Sequence, residues 1–349
     1  MSNKEFESDV RSLEFKFKNL NDRYDLSGSE TAVEKIKHGI RAYPDQLAEL
    51  ERRGFLHTLP LKKVVEAVAH DWSNGQEKEV LAEIQSLKKR LMRERSKVNA
   101  QMRRLDKPSA AIVKSAETAV EAFDDVVGDA ESKLRTMISK TTAEVDQVAY
   151  QMRRVEWMLD QLDEAADIMM LENEGPLLAV EAEWENDGDE GPDGVLYLTD
   201  QRLIFEEKAE KATKKFLFIT RESELVQELL ISEPVSEIQE VSYSEERRRR
   251  IQLRKDDIIE LVMSGNAAHS RLRFHISGQE SKDWAVMINR VMDGDVFKDR
   301  AESAQSDEAN VRDKSFPADC PGCFAPIPPQ PRGALSVTCE FCNATVQAV

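Results

Sequence analysis

Nothing in this 349-residue sequence approaches the roughly 20 consecutive apolar residues that a membrane-spanning helix needs, and the opening Met1-Ser2-Asn3-Lys4-Glu5-Phe6-Glu7 lacks the apolar run of a signal peptide. That pattern predicts a soluble, cytoplasmic chain. Positive charge is also short: 49 Lys and Arg face 66 Asp and Glu, the formal net charge is -17, and no segment is basic overall. Attraction to nucleic acid or to an anionic membrane through bulk charge is therefore disfavoured. Enzyme signatures are missing as well, with no Gly-x-x-x-x-Gly-Lys-Ser/Thr loop, no Gly-x-Ser-x-Gly elbow and no His-Glu-x-x-His. The five histidines, His38, His57, His70, His269 and His275, show no ligand spacing and are expected at the surface or half-buried. The expectation is a protein that is not an enzyme.

The length allows two or three domains. Residues 1–70 read as an irregular helical region, broken at Asp25-Leu26-Ser27-Gly28-Ser29, at Pro44 and at Pro60, without a clear period. Residues 71–175 read as a long helical hairpin or coiled coil. From Glu77 to Leu105 the apolar positions Val80, Ile84, Leu87, Leu91, Val98 and Leu105 fall at steps of three and four, which makes one narrow stripe. Pro108 breaks that helix and Ser109 can cap the next. The second seam runs from Ala116 through Val120, Phe123, Val127 and Leu134 to Ala166 and Met169, with a stutter at Thr141. At 1.5 Å per residue this helix would be roughly 90 Å long, about twice its predecessor. One hairpin partner covers only part of it, so self-association is expected to cover the rest. The alternative is an antiparallel hairpin packed on residues 1–70 within a single chain.

After Glu172-Asn173-Glu174-Gly175-Pro176 the period changes from 3.6 to 2. Strands are expected at Leu177–Trp184, Gly194–Thr199, Arg202–Glu206, Lys215–Thr220, Leu229–Ser232, Ile238–Ser244, Arg250–Leu253, Ile258–Met263 and Leu272–Ile276, with turn signals between them. An amphipathic helix, Ser281–Met292, follows with Trp284, Met287, Ile288 and Val291 on one face, and would close a small barrel or sandwich. The run from Gly194 to Phe205, Gly-Val-Leu-Tyr-Leu-Thr-Asp-Gln-Arg-Leu-Ile-Phe, resembles the second and third strands of the GRAM and bacterial PH-like families over about residues 176–296. That resemblance implies a domain at 176–300 that docks on a membrane surface or a protein complex.

Residues 301–317 read as a flexible linker. In the last segment, 318–349, Cys320-Pro321-Gly322-Cys323 and Cys339-Glu340-Phe341-Cys342 form two Cys-x2-Cys knuckles. Two such turns present four thiolates to one tetrahedral ion, and in a reducing compartment four gathered cysteines are metal ligands more naturally than disulfides. The pattern resembles a zinc ribbon over 318–347, with one structural zinc and no open coordination position. Two disulfides or an iron–sulfur cluster are the alternatives. Phe324 departs from the family, because a glycine is common after the first knuckle. The proline run from Pro326 to Pro331 reads as a stiff arm between the knuckles, with an extended ligand for an aromatic groove as the other reading.

In the middle domain Arg247, Arg248, Arg249, Arg250, Arg254 and Lys255 form a candidate anionic-surface contact, but Glu245, Glu246, Asp256 and Asp257 flank it and the alternation with Ile251 and Leu253 favours the solvated side of a hairpin. The loop where PH-like domains usually hold a phosphoinositide carries five acids and no base between Glu185 and Asp193, so that pocket is not expected here. The sequence therefore describes a multidomain α+β protein: long helices, a GRAM/PH-like antiparallel domain with a C-terminal helix, and a zinc ribbon. The function expected is a non-enzymatic oligomeric scaffold or adaptor that docks on a membrane surface or protein complex. A protein-binding adaptor without membrane affinity is the first alternative. A nucleic-acid factor acting through the ribbon ranks last, since residues 301–349 hold only Arg312, Lys314 and Arg332 as bases.

Overall fold

The computed structural model describes residues 6–185, 191–216, 219–246, 256–301, 317, 319–327, 336–339, 341–342 and 344–347, with the backbone alone for the strand residues between 209 and 225. The chain divides into two compact units, one of residues 1–45 and 62–150, the other of 46–61 and 151–349.

In the first unit, helix α1 (Glu7–Asn21) begins with Glu7 and Asp9 in its first turn, where carboxylates favour the unpaired amides, and buries Leu13, Phe17 and Leu20 at helical spacing. Leu26, at φ 59°, breaks the chain, and the Asp25 carboxylate accepts the Ser27 amide to start α2 (Ser27–Arg52). Pro44 lies inside α2 and does not interrupt it. It removes one helical hydrogen bond, but Ile36, Tyr43, Leu47 and Leu50 keep a continuous buried stripe on either side, and that burial outweighs the loss. Pro60 sits in the first turn of α3 (Leu59–Asp71), where an amide hydrogen has no helical partner anyway. A π-helical turn, Trp72–Gln76, contains Gly75 at φ 121° and leads into α4 (Glu77–Met102), which buries the predicted stripe Val80, Ile84, Leu87, Leu91 and Val98. Helix α5 (Ala110–Glu164) follows; its 55 residues span roughly 80 Å.

The α5 seam is buried inside the single chain from Val113 to Leu159. In the first unit Phe17 of α1 meets Phe123 at 6.4 Å between ring centroids, Tyr43 of α2 donates to the Val145 carbonyl, and Lys133 pairs with Glu83 of α4. The polar seam position Thr141 donates to Gln76, whose amide donates to the Met137 carbonyl, so the stutter faces the π turn with its polar group satisfied. Residues of α1, α2 and α4 cover this part of the seam, the arrangement given above as the alternative to self-association. The helix also stops at Glu164, so Ala166 and Met169 are not seam positions, and Met169 is 81% exposed.

The second unit is built on seven antiparallel strands: β1 (Pro176–Trp184), β2 (Asp193–Thr199), β3 (Arg202–Phe216), β4 (Ile219–Pro234), β5 (Ile238–Glu246), β6 (Asp256–Met263) and β7 (Arg271–Ile276), in the order β4-β3-β2-β1-β7-β6-β5. The inward set includes Leu196, Leu198, Phe205, Ile259, Leu261 and Phe274. Helix α6 (Ser281–Met292) closes this core with Trp284, Ile288 and Val291. The Trp284 ring N–H donates to Gln279, which donates in turn to the Ala179 carbonyl of β1, so the largest side chain of the plug is satisfied as well as buried. Gly194 of β2 crosses β3 so closely that a Cβ there would stand 1.9 Å from the Glu206 carbonyl oxygen.

Two strand expectations change. Lys215–Thr220 is not a strand of its own but contains the reversal from β3 to β4, and these two strands form one long hairpin paired from Arg202↔Pro234 to Phe216↔Ile219. The expected strand Arg250–Leu253 lies outside the described residues. No described helix is long and apolar enough to cross a membrane.

Candidate functional site

The two knuckles repeat one backbone design. The Cys320 amide donates to the Ala325 carbonyl and the Cys339 amide to the Ala344 carbonyl, five residues on in each case. The second knuckle is the turn of a small hairpin, β8 (Ser336–Thr338) with β9 (Thr345–Gln347). Cys320 and Cys339 are buried with Val346, and Ile327, Val337 and Ala344 pack around them. All four Sγ atoms lie within 4.8 Å of one another, at 3.7 Å for Cys320–Cys342 and 3.6 Å for Cys323–Cys339. A disulfide would hold its sulfurs about 2.05 Å apart, so these are four free thiols. Four thiolates about 2.3 Å from a common tetrahedral centre stand about 3.8 Å from one another, and the observed spacings fit that cage. The Phe341 and Cys342 amides draw the Cys339 thiol down to about 7, while at Cys323 the Ala325 amide is outweighed by the bond with Cys342 and by burial, which push that thiol up to about 12. The cluster is compatible with a single metal ion held by Cys320, Cys323, Cys339 and Cys342. Phe324, whose amide closes the first knuckle on the Cys320 carbonyl, takes φ 59°, a left-handed conformation that suits glycine.

The candidate anionic contact, Arg247 to Arg250 with Arg254 and Lys255, lies outside the described residues, as does the acidic stretch 186–190. Glu185, at the edge of that loop, accepts from Arg273 and His275. Burial pushes its carboxyl up, but the bonds from His275 and Arg273 win and hold it below the usual range. Arg273 also reaches Glu260 and Glu246. The outer face of β1, β7 and β6 thus carries paired charges.

A buried charge cluster in the second unit has no counterpart in the sequence reading. His57, in the segment before α3, is 5% exposed, not at the surface or half-buried as expected. Its Nε2 stands 2.8 Å from Asp200 Oδ2 and its Nδ1 3.2 Å from the Val296 carbonyl. Both of those atoms are acceptors, so at least one ring nitrogen donates. Asp200, in the β2–β3 turn, also accepts the Gly175 amide at Oδ1 and the buried Arg300 guanidinium at Oδ2, and Arg300 donates to the Asn173 carbonyl. Beside it Arg202 forms a two-bond pair with Glu174, which also accepts from Thr199 and from the Leu171 amide. With each of these carboxylates occupied by three or more donors, the arrangement ties chain segments together and presents no free nucleophile or base. A partner 143 residues away leaves no local pattern by which the His57–Asp200 pair could be recognised.

Glu206 of β3 is fully buried against Tyr197 and Gln227. Burial raises its carboxyl above the ordinary range although Gln227 and Lys208 oppose that, and burial beside Glu206 raises the Tyr197 hydroxyl too.

No protein family matches the chain, and no curated protein matches it in sequence. Among solved structures, the PDZ-RhoGEF DH/PH domains in complex with GTP-gamma-S activated RhoA match at 11% identity with a TM-score of 0.28, over 80% of this chain and 95% of that one. A DH/PH fragment of PDZRHOGEF in complex with human RhoA matches at 10% identity and a TM-score of 0.23, over 79% and 93%. Autoinhibited Vav1 matches at 10% and 0.21, over 94% and 69%. TM-scores this low carry no conclusion about the partners or activity of this chain.

Proposed function

We propose that this protein is a non-enzymatic adaptor or scaffold whose GRAM/PH-like sheet domain docks on a membrane surface or a protein complex, and whose C-terminal zinc ribbon is a further contact module stapled by one zinc ion. The observation that carries the reading is the second unit's topology. Seven antiparallel strands are closed by a single C-terminal helix whose tryptophan fills the core, so a ligand is taken at the surface. The four-thiolate cage supports the same class, because a site with every position taken by sulfur holds structure and leaves none for a reacting water. Linked weak contacts from two modules gain avidity over either alone.

The test uses the full-length protein in two assays: sedimentation with phosphatidylcholine–phosphatidylserine vesicles, and affinity capture from a soluble extract with proteins quantified against a bare-resin control. Adaptor function predicts vesicle binding or a stoichiometric protein partner that survives washing. A protein that binds neither overturns the proposal. Capture of a partner without vesicle binding selects the purely protein-binding alternative.

A further inference from the structure

Helix α6 has a second face. Trp284, Ile288 and Val291 enter the sheet core, while Asp283, Val286, Met287 and Arg290 fall at i, i+3, i+4 and i+7 and line a groove beside it. The last turns of α5 supply the opposite wall at the same spacing, with Gln151, Arg154, Val155 and Met158. Phe55 and Leu61, from the segment around His57, and Leu178 of β1 complete the apolar part. Every one of these residues belongs to the second unit. The groove encloses about 400 Å3, within the roughly 300–1,000 Å3 of small-molecule sites. Each helix face is apolar at its centre and polar at its ends, and Val286 stands 52% exposed at the groove's edge.

The charged residues of the wall are not equivalent. Arg290 donates to Asp299, which also lines the groove, and to Asp295, so these charges answer one another. Asp283 lies in the first turn of α6, where the helix amides already favour a carboxylate. His57 is held by Asp200 and the Val296 carbonyl. Arg154 is different, because the partner that positions it is a neutral amide. It donates to the Gln279 side-chain oxygen, which also accepts the Trp284 ring N–H, while the Gln279 nitrogen donates to the Ala179 carbonyl. The chain of bonds fixes where the guanidinium sits without cancelling its charge. Its five N–H donors form a fork that can hold Gln279 and a carboxylate together.

We infer that the groove between α5 and α6 binds a fatty acid, its unbranched tail along the apolar wall and its carboxylate on Arg154. This goes beyond the docking function proposed above and does not depend on it. A protein partner needs about 1,000 Å2 of contact, whereas a groove of this volume suits one chain of methylenes. Met158 and Met287 suit such a tail, since their thioether side chains adapt to an irregular apolar shape. Charge complementarity at Arg154 selects an acid over a neutral or cationic amphiphile.

The experiment titrates full-length protein with the fluorescent fatty acid cis-parinaric acid. Bound probe is then displaced by octanoate, decanoate, dodecanoate, dodecanol or dodecyltrimethylammonium, each below its micelle concentration. Affinity should rise about fourfold for each methylene that the groove accepts. Dodecanoate should bind about tenfold or more tightly than dodecanol, and the cation most weakly. Arg154→Gln should erase the preference for the acid while dodecanol still binds, and Arg154→Lys should keep most of it. Val286→Trp fills the groove from an exposed position and should prevent binding of every tail, with Met287→Trp as a second, independent block; thermal melting checks that each variant is folded. A parent that binds none of the compounds overturns the inference. So does binding that both tryptophan variants retain, which would place the tail elsewhere. Equal affinity for dodecanoate and dodecanol in the parent also overturns it. None of these results bears on the vesicle and capture assays above, so the two proposals stand or fall separately.

Discussion

Replacing Asp200 with asparagine tests the buried cluster most directly, because it keeps the side chain's volume and removes only its charge. The oxygen of the new side-chain amide can still accept the Gly175 amide at one end. At the other, the NH2 group faces His57 and Arg300, both of which donate to Asp200. Removing one partner of a buried ionic contact costs about 3–5 kcal/mol, since the remaining charge stays out of water without compensation. His57 is 5% exposed and Arg300 2%, so neither reaches water without moving the segments that hold it. With one contact conserved, about 3 kcal/mol is the expected loss, which lowers the midpoint for a unit of this size by roughly 6–12 °C. The assay is calorimetry of the full chain, with near-ultraviolet circular dichroism following the transition that involves Trp184 and Trp284. Asp163→Asn is the control: it removes a carboxylate whose side chain is 70% exposed beside Arg53 and costs less than about 1 kcal/mol. The double variant Asp200→Asn with His57→Gln should lose less than the sum of the single losses, because the stranded imidazole is removed with its partner. If Asp200→Asn melts within error of Asp163→Asn, the charges are not held as described and the argument fails.

Three further outcomes follow from the geometry. Metal analysis of protein purified without chelator should give about one zinc per chain, lost in Cys320→Ser with Cys339→Ser, and exhaustive chelation should unfold the last segment while the α-helical circular dichroism signal persists. Gly194→Ala sets a Cβ 1.9 Å from the Glu206 carbonyl oxygen, so β3 must retreat from β2; a loss of about 2 kcal/mol or more in chemical denaturation is expected, and a neutral substitution would refute that close approach. Glu206 binds its proton more tightly folded than unfolded, so its contribution favours the folded state in acid and is lost as pH rises from the ordinary glutamate value through the raised folded one. Glu206→Gln should therefore raise the melting midpoint at neutral pH and leave it nearly unchanged in acid; a gain equal at both would show that charge is not the cause.

Where a pattern is local and repeated, the sequence is legible. The α4 stripe from Val80 to Val98, the bounds of α6 and the cysteine knuckles all rest on spacings of a few residues, and each is found where its period places it. Pro44 misled because a proline's local cost is smaller than the burial on its two flanks. The β3–β4 hairpin read as separate short strands because its middle is a run of charged residues without the apolar alternation that marks a strand. The covered α5 seam was illegible for a different reason: residues 1–70 show no clean period because two breaks, near Leu26 and Gly54, reset the phase of each helix. His57 and Asp200 leave no trace at all in either local pattern.

The bond from His57 to the Val296 carbonyl also sets an order of events at the ribosome. His57 emerges 239 residues ahead of its partner, and at about 5–20 residues per second that is a wait of roughly 12–50 s. During that interval Phe55, Leu61 and the imidazole wait for β1 to β7 and α6, which emerge between residues 176 and 292. The segment 46–61 is synthesised early but finishes with the last strand and helix of the second unit. A fragment beginning at Pro176 lacks it altogether and leaves Asp200 and the Val296 carbonyl without the imidazole they meet, so dissection of this protein has to follow its contacts and not its linear order.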